Sequence, residues 1–225
     1  MLSELRNGGA DGGAGDRRSH ELLAAEIAAA YPDDAILSEE GADDPRRLTS
    51  RRVWIVDPLD GTREFGERDR DDWAVHVALA IEGRLAAGAV ALPARSMTLG
   101  TMPPPEVRPR IAGPLRIAVS RTRPPEIATR IATAIDAVLV PMGSAGAKVA
   151  AVILGEVDAY VHAGGQWEWD SAAPVAVAVA AGLHASRIDG AALAYNQPRP
   201  WLPDLLVCRR ELAAKVLAGC IFKDA

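Results

Sequence analysis

The stretch Trp54-Ile55-Val56-Asp57-Pro58-Leu59-Asp60-Gly61-Thr62-Arg63-Glu64-Phe65 constrains this chain more than any other. An apolar run drives into two carboxylates three positions apart, closed by a proline, a glycine and a hydroxyl. Val53 to Val56 read as a buried strand that Asp57-Pro58 ends, because proline cannot donate to a ladder. Asp60-Gly61 supplies turn chemistry. Both acids therefore leave the strand tip in a tight bend and point at nearly the same volume. Two like charges held so close are unfavourable unless one is protonated or a cation lies between them. Magnesium suits such a place, taking hard oxygen ligands at about 2.0–2.1 Å while keeping some of its waters. On its own, Asp-x-x-Asp reads equally well as a strand-ending turn with solvated acids.

Two further stretches tip that balance. Ala35-Ile36-Leu37-Ser38-Glu39-Glu40 is a short apolar strand ending in paired acids, and Trp167-Glu168-Trp169-Asp170-Ser171-Ala172-Ala173-Pro174 puts Asp170 at an expected helix N-cap. Ser-Glu-Glu, Asp-Pro-Leu-Asp-Gly-Thr-Arg-Glu-Phe and Trp-Asp-Ser-Ala-Ala-Pro, in that order, resemble the lithium-sensitive, magnesium-dependent phosphatases typified by inositol monophosphatase. The Arg-Glu-Phe ending resembles the 3′(2′),5′-bisphosphate nucleotidase branch, the CysQ type. Gly143-Ser144-Ala145-Gly146-Ala147-Lys148 and His162-Ala163-Gly164-Gly165-Gln166-Trp167 resemble its actinobacterial version. The resemblance runs from about Gly15 to Cys208.

Composition sets bounds on this reading. The 225 residues are 49% hydrophobic but only 4% aromatic, so alanine, valine, leucine and isoleucine must fill the core. A net charge of −5 disfavours a nucleic-acid surface. Cys208 and Cys220 show no metal-ligand spacing, and without a signal peptide they read as reduced and cytoplasmic. No apolar run approaches the ~20 residues that span a membrane.

Along the chain, residues 1–15 read as a flexible segment rich in glycine. Family members usually begin with a further helix before this point, so the chain reads as a fragment or as starting from an internal Met. Residues 19–31 show helical spacing, stopped by Pro32. Strands are expected at 35–38, 53–57, 73–81, 85–92 and 96–101. On the third of these, His76 lies on the face of small residues and reads as structural, with no role assigned. The proline-rich segment 103–114 reads as a hinge between a metal-binding subdomain (16–102) and an α/β subdomain carrying substrate loops (115–225). Strands at 115–120, 138–142, 159–162 and 205–208 then alternate with helices at 124–137, 148–154, 171–181 and 210–218, with a hairpin turn at Asp189-Gly190. A meander followed by a βαβα half suggests two packed sheets with helical layers; the resemblance implies an α/β fold of the αβαβα sandwich type.

The chemistry expected is metal-assisted hydrolysis of a phosphate monoester, among the slowest of uncatalysed reactions. Positioning and charge neutralisation must carry it. The resemblance implies two to three magnesium ions, with Glu39, Asp57, Asp60, Asp170 and the Leu59 carbonyl around them and a weaker ion near Asp16 and Glu40. Asp16 matches the acid of the family's Thr-x-x-Asp motif, although Gly13 stands at the threonine position. Thr62 would orient the attacking water, helped by Glu39 or Asp16. Gly61 and Thr62 open a helix whose N–H groups face the phosphate. The Gly143-Ser144…Lys148 loop reads as a second anion site, or as a loop that permits close packing. Ser120 and Arg123 end a strand where ligands gather; Arg123 replaces a histidine usual in the nucleotidases. His162 and Glu168 are further candidate substrate contacts, while Trp167 and Trp169 read as core and site walls. The activity implied is removal of the 3′-phosphate from adenosine 3′,5′-bisphosphate, with a small phosphate ester as the only partner apart from a possible second copy of the chain. Inositol monophosphate or fructose 1,6-bisphosphate hydrolysis stays open, as does a non-catalytic nucleotide-binding remnant.

Overall fold

The computed structural model describes residues 1–220. One sheet holds β1 (Ala35–Ser38), β2 (Arg52–Asp60), β3 (Ala74–Ile81), β4 (Arg84–Leu92) and β5 (Met97–Gly100) in sequence order. β1 runs parallel to β2 and the rest is an antiparallel meander. The other sheet holds β6 (Leu115–Ser120), β7 (Ala137–Met142), β8 (Ala159–Trp167), β9 (His184–Ser186) and β10 (Trp201–Cys208), in the order β7-β6-β8-β10-β9. β6 pairs in parallel with β7 and β8, which requires crossovers, and helices supply them.

The helices are α1 (Leu2–Asn7), α2 (Gly12–Ala30), α3 (Thr62–Gly66), α4 (Glu126–Ile135), α5 (Ala145–Ile153), α6 (Glu168–Ala180) and α7 (Ala213–Cys220). α5 and α6 lie between the sheets, α2 covers the outside of the first sheet, and α4 with α7 covers the outside of the second. The expected αβαβα sandwich is the fold. Small side chains such as Ala74, Ala78, Ala172 and Ala173 fill its centre, which lets helix and sheet approach closely.

Several local expectations need correction. Residues 1–15 are not a flexible lead-in: α1 occupies 2–7, and α2 starts at Gly12, capped by Asp11, whose carboxylate accepts the Ala14 N–H at 2.8 Å. Two of the glycines that suggested mobility, Gly12 and Gly15, serve close packing instead. A Cβ on Gly12 would lie 2.3 Å from Thr62 Cγ2, and one on Gly15 3.0 Å from Leu59 Cδ2. From α1, Arg6 donates to the carbonyls of Phe65 (2.9 Å), Arg70 (2.7 Å), Glu64 and Glu67. It thereby holds the turn after α3.

β2 does not stop at Asp57 but continues through Pro58 to Asp60. Asp57 opposes His76 and Asp60 opposes Ala74, so three steps on β2 match two on β3. In a regular strand, residues three apart face opposite ways. The surplus residue, a bulge, brings both aspartates to one face, and a bulge is also where proline is tolerated.

On β3 the face of small residues is the deeper one. Ala74, His76 and Ala78 are fully buried beneath α5 and α6, while Val75 and Val77 are only half-buried. α6 begins at Glu168 rather than 171, so Asp170 lies in its first turn and is not its N-cap. Asp189-Gly190 makes a turn, closed by Arg187 N–H to the Ala191 carbonyl at 2.9 Å, but no strand follows until β10. The 103–114 segment is tied down where it passes the second sheet: the Arg108 N–H bonds the Ile153 carbonyl (2.8 Å), and Arg110 pairs with Asp158 (2.9 Å).

Candidate active site

Four separate elements deliver acids to one place. β2 brings Asp57 and Asp60, the turn after β1 brings Glu39 and Glu40, α6 brings Asp170, and α2 brings Asp16. Asp57 is buried, and one of its oxygens accepts the Leu59 N–H at 3.1 Å. Burial, then the charges of Asp60, Asp170 and Glu39, push its pKa well up. Asp170 rises to about 8, through burial and then Asp60, even though its carboxylate accepts the Trp167 N–H at 2.7 Å. Glu39 rises to about 7, through loss of water around its carboxyl and the charges of Asp16, Asp60 and Glu40. Asp16 is buried and rises to about 6, chiefly by desolvation. One of its oxygens lies 3.0 Å from Thr62 Oγ1, and the other, Oδ1, is buried with no partner.

Among the described residues no lysine or arginine makes a hydrogen bond or ion pair with these carboxylates, and one of their oxygens is orphaned. Oxygen donors of this kind fit a hard divalent cation. Asp57, Asp60 and His76 each place a ligand atom within 4.8 Å of the others, so they could hold a metal ion. Thr62 Oγ1 also lies 3.2 Å from the Leu59 carbonyl, which therefore faces the same turn. Gly61, at φ 91°, makes the break between β2 and α3.

The loops facing the acids hold a different kind of chemistry. A cleft of about 230 Å³ lies between the Asp60–Glu64 turn and the loops after β6 and β7. Its lining includes Asp60, Gly61, Thr62, Ser120, Gly143 and Ser144, all expected from sequence. Arg63 and Arg123 also line it, are exposed, and their guanidinium groups have no hydrogen-bond or ion-pair partner among the described residues. Arg121, by contrast, is held by Glu64 (2.7 Å) and Glu67 (2.8 Å), which raise its pKa. Ser120 Oγ accepts the Arg123 N–H at 3.2 Å and so shapes that loop.

The loop expected to offer free N–H groups has spent most of them. The Gly143 N–H goes to the Asp72 carboxylate (2.6 Å) and the Ser144 N–H to the Asp72 carbonyl (3.0 Å). The Gly146 N–H and Ser144 Oγ both go to Asp60 Oδ2, at 3.0 and 2.7 Å, and the Ala147 N–H goes to Ser144 Oγ. α3 is a helix of five residues, too short to present a sustained N-terminal field.

Lys148 is buried, donates to the Gly143 carbonyl and lies 5.0 Å from the Tyr160 ring centre; burial lowers its pKa. His162 Nε2 donates to the Gly165 carbonyl at 2.8 Å. Glu168 corrects the expectation most clearly. It is fully buried, and its two oxygens accept the N–H groups of Asn196 (2.5 Å) and Gln197 (2.9 Å). It holds the 195–198 loop and does not face the cleft. Buried Arg47 grips the same loop, through the Asn196 side chain (2.8 Å) and the Gln197 carbonyl (3.0 Å). Trp167 and Trp169 stack on each other, ring centres 5.1 Å apart.

Sequence reasoning missed His76, Arg63 and Asp72. His76 was detectable only from strand register, since its face looked like the minor one. Arg63 was quoted within the motif but given no role.

The layered fold and its clustered acids belong to a known class. Solved structures of inositol monophosphatases share the fold: the Staphylococcal IMPase-II superposes with a TM-score of 0.76 at 20% identity, covering 96% of this chain and 89% of that one. The chain belongs to the inositol monophosphatase family, whose match spans residues 13–221. It is 55% identical over 223 residues to the 3′-phosphoadenosine 5′-phosphate phosphatase of Mycobacterium bovis, covering 93% of this chain and 81% of that one. The Mycobacterium leprae protein of the same name is 51% identical over 222 residues, with 93% and 82% covered. The 3′(2′),5′-bisphosphate nucleotidase CysQ of Escherichia coli K12 is more distant, at 30% over 204 residues, with 84% and 81% covered.

Proposed function

We propose that this chain is a magnesium-dependent phosphatase that hydrolyses the 3′-phosphate of adenosine 3′,5′-bisphosphate to AMP and phosphate, clearing a by-product of sulfate activation. The observation that carries the reading is the convergence of Glu39, Asp57, Asp60 and Asp170: their like charges raise the pKa values of Glu39, Asp57 and Asp170, and no lysine or arginine among the described residues pairs directly with any of the four. The choice of substrate is supported by the names of the mycobacterial relatives.

Glu39, Asp57, Asp60, Asp170 and the Leu59 carbonyl would hold two to three magnesium ions. Bound there, the ions would supply a nucleophile at neutral pH and neutralise charge on the phosphoryl oxygens. Thr62, donating its hydroxyl proton to Asp16, keeps lone pairs free to accept from a water and fix its direction. Asp16, with a pKa of about 6 and a free Oδ1, is suited to take the proton that water releases. Arg63 and Arg123 face the cleft as unpaired cations, placed to hold the phosphate that is not cleaved. Water attacks phosphorus, the bond to the ribose 3′-oxygen breaks, and that oxygen leaves with a proton. The setting we infer is reducing and cytoplasmic: Cys208 and Cys220 are unpaired, and no helix among the described residues is long and apolar enough to cross a membrane.

Phosphate release from adenosine 3′,5′-bisphosphate, inositol 1-phosphate and fructose 1,6-bisphosphate, with and without magnesium, tests this. The bisphosphate nucleotide should turn over fastest, only with metal, and millimolar lithium should inhibit. Preference for either sugar ester would overturn the substrate, and no turnover on all three would leave a nucleotide-binding remnant.

A further inference from the structure

His76 has no task in the chemistry above, yet it lies between two of the segments that carry it. Its ring is fully buried on β3, directly opposite Asp57 in the ladder. Nδ1 is 3.2 Å from the carbonyl oxygen of Trp169, which can only accept, so Nδ1 carries a hydrogen and donates. Trp169 is the residue before Asp170. At the other edge of the ring, Nε2 is 3.3 Å from Asp60 Oδ2 and has no hydrogen-bond partner.

The surroundings are shaped to this ring. A Cβ on Gly146 would come within 2.1 Å of Nε2, so the first turn of α5 closes over the imidazole only because that residue is glycine. The same turn supplies the Gly146 N–H and Ser144 Oγ to Asp60 Oδ2. One planar, rigid side chain thus spans the tip of β2, the start of α5 and the start of α6.

We propose that His76 is a positioning residue: its Nδ1–H bond to the Trp169 carbonyl ties the first turn of α6, and so Asp170, to β3, while the body of the ring packs as a rigid spacer against Asp60, which the start of α5 holds; it thereby sets how tightly the acid cluster binds a divalent cation. The inference rests on the metal reading of the cluster but not on its substrate. Carboxylates that repel one another relax apart unless held, and a relaxed set must be reassembled whenever a cation binds. Outer residues that hold metal ligands in place are typically worth about 10–100-fold in metal affinity.

The test is a titration of the full-length protein with Mn2+, followed by loss of the free-ion EPR signal and by calorimetry. His76→Ala should bind Mn2+ about 10–100-fold more weakly than the wild type. His76→Asn, which can still donate to the Trp169 carbonyl, should recover part of that loss. Wild-type affinity in His76→Ala would overturn the proposal and leave the ring as core filling. Should the alanine variant fail to fold, the wild type decides. Pulsed EPR of its Mn2+ complex should lack the 14N coupling of a directly bound imidazole, and finding that coupling would make His76 a ligand rather than a positioning group. If the esters are not hydrolysed while Mn2+ affinity still depends on His76, the functional reading fails and this one stands.

Discussion

The acid cluster and the loops that face it across the cleft spend their polar atoms in opposite ways. Asp16, Glu39, Asp57 and Asp170 all hold protons more tightly than ordinary carboxyls, because burial and one another's charge disfavour ionisation. Asp16 Oδ1 and His76 Nε2 are buried without hydrogen bonds. In the facing loops the N–H groups of Gly143, Ser144, Gly146 and Ala147, together with Lys148 and His162, have partners inside the protein, and so does Glu168 away from the cleft. Satisfied polar groups stabilise and specify a fold. Unsatisfied like charges cost stability, and they mark the place where something outside the chain completes the structure.

The largest test of this contrast is Asp57→Asn. It should lower kcat by about 10³-fold while raising the melting temperature of the metal-free protein, because it removes one member of a mutually repelling set. A lowered melting temperature would mean that Asp57 is part of the scaffold after all. Next comes Glu168→Ala, which leaves two buried N–H groups unpaired at about 1–3 kcal/mol each. It should cost roughly 10 °C of melting temperature and leave KM nearly unchanged. A raised KM at constant stability would move Glu168 to the substrate side. Arg123→Ala should raise KM by about tenfold, with kcat and stability little affected, as expected for one charged contact; an unchanged KM would leave Arg63 and the metal site to hold the ligand.

The smallest effect is a pH slope. Folded-state pKa values of about 7 for Glu39 and about 8 for Asp170 lie above their ordinary values. The native state therefore binds more protons than the unfolded chain, and stability falls as pH rises through that window. Burial of His76 and His162 lowers their pKa values below 6.5 and gives the opposite slope, but only below about that pH. The melting temperature of metal-free protein should thus drop by a few degrees between pH 6.5 and 8. Saturating magnesium should flatten the drop, because it binds the ionised acids. A slope that magnesium does not change would detach these shifts from metal binding.

Much of this was legible in the sequence, for reasons particular residues show. Apolar runs and prolines located most strands, and the change from meander to alternating elements gave the layered fold. The acids could be named because their neighbours form three ordered motifs. The bulge in β2 was not legible: a spacing of three between Asp57 and Asp60 does not say which faces they take, and only pairing with β3 does. Nor could the text separate Glu168 from Asp170, two positions apart in one motif, since their difference is made by a loop some 28 residues further on. His76 was hidden because helices press on the side of β3 with the smaller side chains, reversing the usual inference from residue size.

The helix that carries Asp16 has a practical consequence for anyone who wants a hardier enzyme. Replacing helical glycine with alanine is a standard route to heat tolerance, gaining about 1 kcal/mol per site, and Gly12, Gly13 and Gly15 invite it. Gly13 has room, with Arg17 Nη1 3.4 Å from where a methyl would go, whereas a methyl on Gly12 would drive α2 off Thr62. A methyl on Gly15 would meet Leu59 Cδ2 at 3.0 Å, so of the three only Gly13 takes alanine without a neighbour having to move, and heat tolerance gained at the other two would come at the expense of the contacts between α2 and the turn that carries Thr62.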